Sequence, residues 1–324
     1  MKKTKLIIQT PCFNEENTIG ITLDSLPQEI AGISHIEYLI VDDGSTDKTV
    51  DVARAHGVHH VVSHITNRGL ASAFMSGVQA CLDLGADIIV NTDADNQYDA
   101  RYIPDLVHPI LQREADMAVG CRPINAIQHF SPFKNLLQKV GSCIVRKISH
   151  TEVGDVPSGF RAFSRDLAMH FNVYNSYSYT IETLIQAGYN RYRVVSVPVG
   201  VNQVQRPSRL VRSTGSYVWK SMSLMIRIMI VYWPFPLFFA LGVFLVATGT
   251  GIGLRYLYYY FFFSSAGKLQ SLILATILII IGINTALFAF LSDLVATNRR
   301  LLEDIQFRVK SMQYVKKVFG SDNR

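Results

Sequence analysis

The chain has 324 residues, 49% hydrophobic and 17% charged, with a net charge of +6, enough for one good-sized domain plus something smaller. Its four cysteines, Cys12, Cys81, Cys121 and Cys143, form no CxxC pair and no zinc spacing, so reduced structural thiols are expected. The opening "MKKTKLIIQTPCFNEE" turns polar after a short apolar run, which excludes a secretory signal and predicts that the N-terminal domain stays in the cytosol.

Short β-type runs then alternate with helical patterns. "KLIIQT" is followed by a helix from about Thr18, "YLIVD" by one from about Asp47, "HHVVS" by one from about Leu70, and "DIIVNT" by one from about Arg101, before "MAVG". Strands separated by helices of this length predict βαβ units and a parallel, doubly wound sheet. Ligands of such sheets bind beyond the carboxyl ends of the strands, and each chemically suggestive stretch falls there. "PCFNEEN" follows the first strand, "DDGSTD" the second, "NRG" the third and "DADNQ" the fourth. No GxGxxG follows the first strand, which argues against an NAD-binding domain. Instead Glu15, Asp42 and Asp43 form an acidic lining suited to hydrogen-bond donors such as a base N–H or ribose hydroxyls. Asp47 is placed to cap the next helix.

Asp93 and Asp95 stand one residue apart at the end of Ile88-Ile89-Val90. In an extended segment, side chains at i and i+2 point to the same side, so both carboxylates reach one point, which is costly unless a cation sits there. A calcium loop counted from Asp93 would need glycine at Tyr98 and glutamate at Pro104, so the register fails. An open Mg2+ or Mn2+ site that shares its ion with substrate phosphates fits better.

Two later runs carry no charge, Ile228 to Leu254 and Leu269 to Ser292, and each exceeds the roughly 20 residues that cross a bilayer. An aromatic hinge, "YLYYYFFFSSAGK", joins them as a hairpin. Basic residues flank the pair: Arg206, Arg209, Arg212, Lys220 and Arg227 before it, and Arg299, Arg300, Arg308, Lys310, Lys316 and Lys317 after it, against Arg255 and Lys268 between. The positive-inside rule then puts both termini in the cytosol and makes the chain an integral protein of the cytoplasmic membrane. The positive charge is better matched to anionic lipid than to nucleic acid, and no nucleic-acid partner is expected. The stretch "STGSYVWKSMSLMIRIM", with Tyr217, Trp219 and Lys220, reads either as an amphipathic helix on the inner leaflet or as the start of the first span. The expected division is a catalytic domain over 1–205, a juxtamembrane segment over 206–227, a hairpin over 228–292 and a basic tail over 293–324.

Together "PCFNEE", "VDDGSTD", "NRGLASAFMSG", "DADNQ", "GCR", "DVPSGFRAFSRD" and the hairpin resemble the inverting glycosyltransferases of family 2, of GT-A (Rossmann-like) fold, and within them the polyprenyl-phosphate hexosyltransferases. The resemblance covers nearly the whole chain and implies an α/β nucleotide-sugar domain followed by two transmembrane helices. It implies that Pro11, Asn14, Glu15 and Asp43 hold the nucleoside, that Asn67 and Gly69 line its cleft, and that Asp93 and Asp95 form a DxD pair on ribose and metal. Gln97 then faces the sugar. Arg122 and Arg161 suit an acceptor phosphate because a guanidinium fork matches its oxygens. Tyr179 and Glu182 fall where the family tends to carry an acidic residue on a helix. One departure precedes the hairpin: Arg206 stands where glycine is common, and Ser208-Arg209 where a Ser-Lys pair is common.

The reaction this implies is attack of a polyprenol phosphate on the anomeric carbon of a nucleotide sugar, with inversion. UDP-glucose or UDP-N-acetylglucosamine is the favoured donor, and GDP-mannose the alternative. A phosphomonoester is largely ionised at pH 7, so the base can be weak or absent, and Asp155 is the candidate to orient or deprotonate the acceptor. A non-catalytic nucleotide-sugar scaffold is the reading from another class. A homo-oligomer is compatible with these motifs.

Overall fold

The computed structural model describes residues 4–122, 151–173, 179–202, 226–263 and 269–320, with 146, 149 and 223 as isolated positions. Two compact units emerge, one of residues 1–210 with 305–324 and one of residues 211–304.

The first unit is built on a seven-stranded sheet. β1 (Lys5–Cys12), β2 (His35–Asp42), β3 (His60–Ser63), β4 (Ile88–Asn91) and β5 (Met117–Cys121) alternate with α1 (Ile19–Ser25), α2 (Thr49–Ala55), α3 (Leu70–Asp83) and α4 (Ile103–Leu111). β6 (Arg161–Ser164), α5 (Arg165–His170), α6 (Tyr179–Tyr189) and β7 (Val194–Pro198) follow. Spatial order is β3-β2-β1-β4-β6-β5-β7. The expected wholly parallel sheet is corrected at one place, because β6 runs antiparallel to both β4 and β5 while the remaining pairs are parallel.

β1 is buried along almost its whole length, as a central strand covered on both faces must be. Its alternate side chains serve two layers. Leu6, Ile8 and Cys12 join Ile40, Ile88 and Val90 under Ile19 and Leu23 of α1 and Ile103, Leu106 and Val107 of α4. On the other face α3 buries Ala71, Phe74, Val78, Cys81 and Leu82, a spacing of three and four that gives a helix one apolar stripe. There Phe74 lies against Phe163 and Phe171.

The chain runs outward through β1, β2 and β3, then returns to place β4 on the opposite side of β1. Such a switch point opens a crevice at the strand ends. β1 pairs with β4 only over Leu6–Gln9, whereas its pairing with β2 continues to Cys12. Pro11, which lacks an N–H, thus lies where β1 has lost one neighbour, a position that tolerates proline.

α7 (Pro234–Phe263) and α8 (Leu269–Gly320) supply the hairpin. Residues 226–232 are already helical, and the helix breaks at Trp233 ahead of Pro234, so α7 starts later than the apolar run does. Only 11% and 17% of the most apolar windows of the two helices are buried, which distinguishes them from core helices and suits a lipid environment. The helices approach closely through glycine: a Cβ on Gly242 would lie 2.7 Å from the Gly282 carbonyl, and one on Gly282 2.8 Å from the Gly242 carbonyl. α8 continues unbroken past 292, the expected end of the hairpin, to Gly320. Cys143, Arg206, Ser208, Arg209, Arg212, Tyr217, Trp219 and Lys220 lie outside the described residues.

Candidate active site

Three strand-end loops are stitched together on the β1–β3 side of the crevice. The Asn14 backbone, at φ 54°, donates to Ser45 Oγ (2.9 Å), and its side-chain Oδ1 accepts from Thr46 N (2.8 Å). Glu15 N donates to Thr49 Oγ1 (2.8 Å), while Glu15 Oε2 accepts from Thr18 Oγ1 (2.9 Å). Asp47 accepts from Thr49 N, as an entry cap for α2 does. Asp42 is buried with Oδ1 accepting from Ser45 N (2.9 Å). That bond closes the turn that follows β2.

Asp43 is buried too, and its carboxylate receives His64 Nδ1 (2.7 Å), Arg68 N (2.9 Å) and Gly69 N (2.8 Å). His64 Nε2 lies 2.9 Å from Ser76 Oγ of α3. An ionised carboxylate has about four lone-pair sites, so these three donors do not exhaust it. Asn67 Oδ1 accepts from Gly69 N (3.1 Å), fixing the "NRG" corner.

On the β4 side, the "DADNQ" loop leaves β4 with Asp93 and Asp95 both half-buried. Asp95 Oδ1 accepts from Gln97 N (3.1 Å). Asn96 takes a left-handed φ of 54°, and Asn202 locks the loop by donating from Nδ2 to Asn96 O (3.0 Å) while its N–H reaches Gln97 O (2.9 Å). Burial, reinforced by the negative charge of Asp95, pushes the Asp93 carboxyl up to about 7, and Arg122 and Glu15 are close enough to act on it with opposite signs. Two carboxylates so placed suit a divalent cation. Among the described residues no group of three or more His, Cys, Asp and Glu could hold one, so any ion here would complete its shell from a ligand.

Arg122, just past β5, forms a two-point ion pair with Asp155, Nε to Oδ2 at 2.7 Å and Nη2 to Oδ1 at 3.1 Å. Its Cζ lies 5.8 Å from the Tyr98 ring centroid, and Tyr98 stacks on Phe160. The carboxylate expected to orient or deprotonate the acceptor is thus engaged at both oxygens by Arg122. Arg161 is placed differently again. It is 1% exposed and donates from Nε to Ser158 O (2.7 Å), from Nη1 to Thr180 O (2.7 Å) and Thr183 Oγ1 (3.0 Å), and from Nη2 to Val156 O (2.7 Å). Its expected role on an acceptor phosphate is therefore corrected: the guanidinium clamps the 156–158 turn to α6 and turns no open face to the crevice.

Residues 7–171 match the model of glycosyl transferase family 2. The chain belongs to that family. Among similar proteins are an uncharacterised protein of Methanocaldococcus jannaschii, 36% identical over 52% of this chain and 68% of its own, and the undecaprenyl-phosphate mannosyltransferase of Micrococcus luteus, 26% identical over 58% and 80%. The UDP-N-acetylglucosamine–dolichyl-phosphate N-acetylglucosaminyltransferase of Methanococcus voltae is 28% identical over 58% and 82%. Among solved structures, glucosyl-3-phosphoglycerate synthase of Mycobacterium tuberculosis, in complex with Mn2+, UDP-glucose and phosphoglyceric acid, superposes with a TM-score of 0.54 at 22% identity, covering 70% of this chain and 79% of that one. The first unit thus has the GT-A fold of a family 2 glycosyltransferase, and the chain is an enzyme of that class.

Sequence reasoning passed over Gln9, Asn91, His64, Tyr98 and Gly159. Gln9 and Asn91 carried a signal, each being the one amide inside an otherwise apolar strand run. His64 and Gly159 carried none, since their partners are distant in sequence.

Proposed function

We propose that this family 2 glycosyltransferase moves a hexose from a nucleotide sugar to polyprenyl phosphate, at the cytosolic face of the membrane in which α7 and α8 sit, with both termini cytosolic. The observation that carries this reading is the approach of Arg122, past β5, to Asp93 and Asp95, past β4, a cation-seeking pair near an anion-seeking fork. The nucleoside lies along the stitched loops, where Pro11, Asn14 and Glu15 shape the wall and Asp43, Asn67 and Gly69 the floor. Asp93 and Asp95 hold Mg2+ or Mn2+, which when bound stabilises the charge that builds on the leaving diphosphate. Gln97 lies beside the sugar.

Arg122 holds the lipid phosphate, and Asp155 keeps the guanidinium in its orientation. A phosphate oxygen forms the new bond to the anomeric carbon as the bond to the diphosphate breaks on the opposite face, so the centre inverts. The phosphate enters as a dianion and needs no base. UDP-glucose or UDP-N-acetylglucosamine is the donor we favour, and the dolichyl-phosphate relative is named for the latter. The mannosyltransferase relative supports GDP-mannose as the second reading.

The test is a turnover screen of detergent-purified protein with polyprenyl phosphate against a panel of nucleotide sugars, reading nucleoside diphosphate. One donor should stand out, its turnover should stop with chelator, and Asp95→Asn should lower it at least about a hundredfold without loss of folding. Lipid-independent release that survives Asp95→Asn would reject the reading.

A further inference from the structure

One buried imidazole ties the ends of β2 and β3 to α3. His64 follows β3, its backbone N–H donates to Asp42 O (2.9 Å), and its side chain is as deeply buried as that of Asp43. A carboxylate only accepts, so the 2.7 Å contact with Asp43 Oδ1 puts the ring hydrogen on Nδ1. In the neutral ring Nε2 then accepts from the Ser76 hydroxyl at 2.9 Å. Both ring nitrogens are used, and the imidazole is held at two points that belong to different elements.

The Asp43 oxygen that receives Nδ1 also accepts from Arg68 N (2.9 Å), and the other oxygen accepts from Gly69 N (2.8 Å). The carboxylate therefore orients the stretch of backbone that carries Asn67 and Gly69. That corner has little slack. Gly69 takes a φ of 91°, and a Cβ on Gly44, itself at φ 77°, would lie 2.8 Å from the Thr66 carbonyl carbon and 2.9 Å from Asn67 N. The last torsion of an aspartate side chain is soft, and the imidazole adds a fixed donor that narrows it. We infer that His64 is a positioning residue for the nucleotide cleft: anchored on Ser76, it fixes the Asp43 carboxylate and, through it, the Arg68–Gly69 backbone, and it acts through Asp43 rather than on the nucleotide itself.

This inference rests on the proposed place of Asp43, Asn67 and Gly69 in the floor of the nucleoside site, so both are tested together. Full-length protein in detergent with Mn2+ is titrated with UDP and, in parallel, GDP by isothermal titration calorimetry; KM is measured for the best nucleotide sugar and for polyprenyl phosphate, and unfolding is followed by differential scanning fluorimetry. His64→Leu keeps most of the ring's volume and removes both hydrogen bonds. Nucleotide affinity should fall about tenfold, the scale of one hydrogen bond to a charged group, and the KM for the nucleotide sugar should rise with it while the KM for lipid stays unchanged. His64→Asn, whose side-chain N–H can stand where Nδ1 stands, should recover most of that affinity although it loses Ser76. A merely structural role would give no such rescue, because binding would follow the folded fraction alone. If His64→Leu does not fold, Ser76→Ala frees the far side of the ring in its place and should weaken binding about threefold. A folded His64→Leu or Ser76→Ala that binds nucleotide like wild type, or whose KM for lipid rises equally, overturns the inference. Asp43→Asn separates the two levels. If it weakens nucleotide binding while His64→Leu does not, only the role of His64 falls; if folded Asp43→Asn binds like wild type, or wild type binds neither nucleotide, the nucleoside floor falls and takes this inference with it.

Discussion

Arg122 and Arg161 carry the same charge, and what meets that charge decides what each can do. Arg122 is partly exposed and paired with one carboxylate; Arg161 is fully buried and spends Nε, Nη1 and Nη2 on neutral oxygens inside the fold. Arg122→Ala should therefore raise the KM for lipid and lower kcat, together on the order of a hundredfold for a misplaced attacking oxygen, with lysine rescuing only in part. Arg161→Ala should instead strand several buried carbonyls at about 1–3 kcal/mol each, so its activity should track the folded fraction in denaturant unfolding. A well-folded Arg161→Ala with a lipid-specific KM defect would return that arginine to the acceptor.

Asp93 gives the pH dependence. Its folded pKa of about 7 stands well above its unfolded value, so between those values the folded state holds a proton that the unfolded state has lost. Stability of metal-free protein should fall as pH rises from about 4 to 7 and level off above, and Asp93→Asn should flatten that fall. Binding of Mn2+ releases the proton, so the increase in Tm on adding Mn2+ should grow across the same window. Thermal melts at several pH values, with and without Mn2+, check both signs.

Among the elements, the end of α8 is the least anticipated. Phe307 stacks on His170 with centroids 3.6 Å apart, and Arg165 lies over the Tyr314 ring at 4.4 Å. Lys310 Nζ donates to Phe171 O (3.1 Å) and Met169 O (3.3 Å), the carbonyls at the C-terminal end of α5, where a cation is favoured. The basic tail thus supports the catalytic unit, and a run of lysines and arginines gave no hint of it. Lys310→Met should cost about 1–3 kcal/mol, and deletion after Asp304 more than that, both read as a lower Tm of the nucleotide-bound protein. Equal melting of truncated and full-length protein would make the tail dispensable.

The first five strands were legible because each is an apolar run closed by turn residues, and the loops after them are short enough to keep their chemistry at one sheet edge. β6 was not. Its four residues begin with an arginine, and strand direction is set by where the preceding chain re-enters, which local pattern does not carry. The Arg122–Asp155 pair was legible as two candidates and illegible as one unit, since 33 positions separate them.

At the scale of the whole molecule, one helix belongs to both compact units. α8 has 52 residues, about 78 Å at 1.5 Å per residue, more than twice the roughly 30 Å of a bilayer's hydrocarbon, so its apolar first half and polar second half cannot share one environment. Under the function proposed above, the acceptor's lipid chain would stay in the bilayer and only its phosphate would enter the catalytic unit. The most direct measurement is the fate and configuration of the sugar. With the best donor carrying labelled hexose, and polyprenyl phosphate in detergent, the label should move into the organic phase as a lipid-linked phosphodiester whose anomeric configuration, read by NMR, is opposite to the donor's. Label that stays in the aqueous phase, or a lipid product that retains the donor's configuration, would contradict direct displacement by the lipid phosphate.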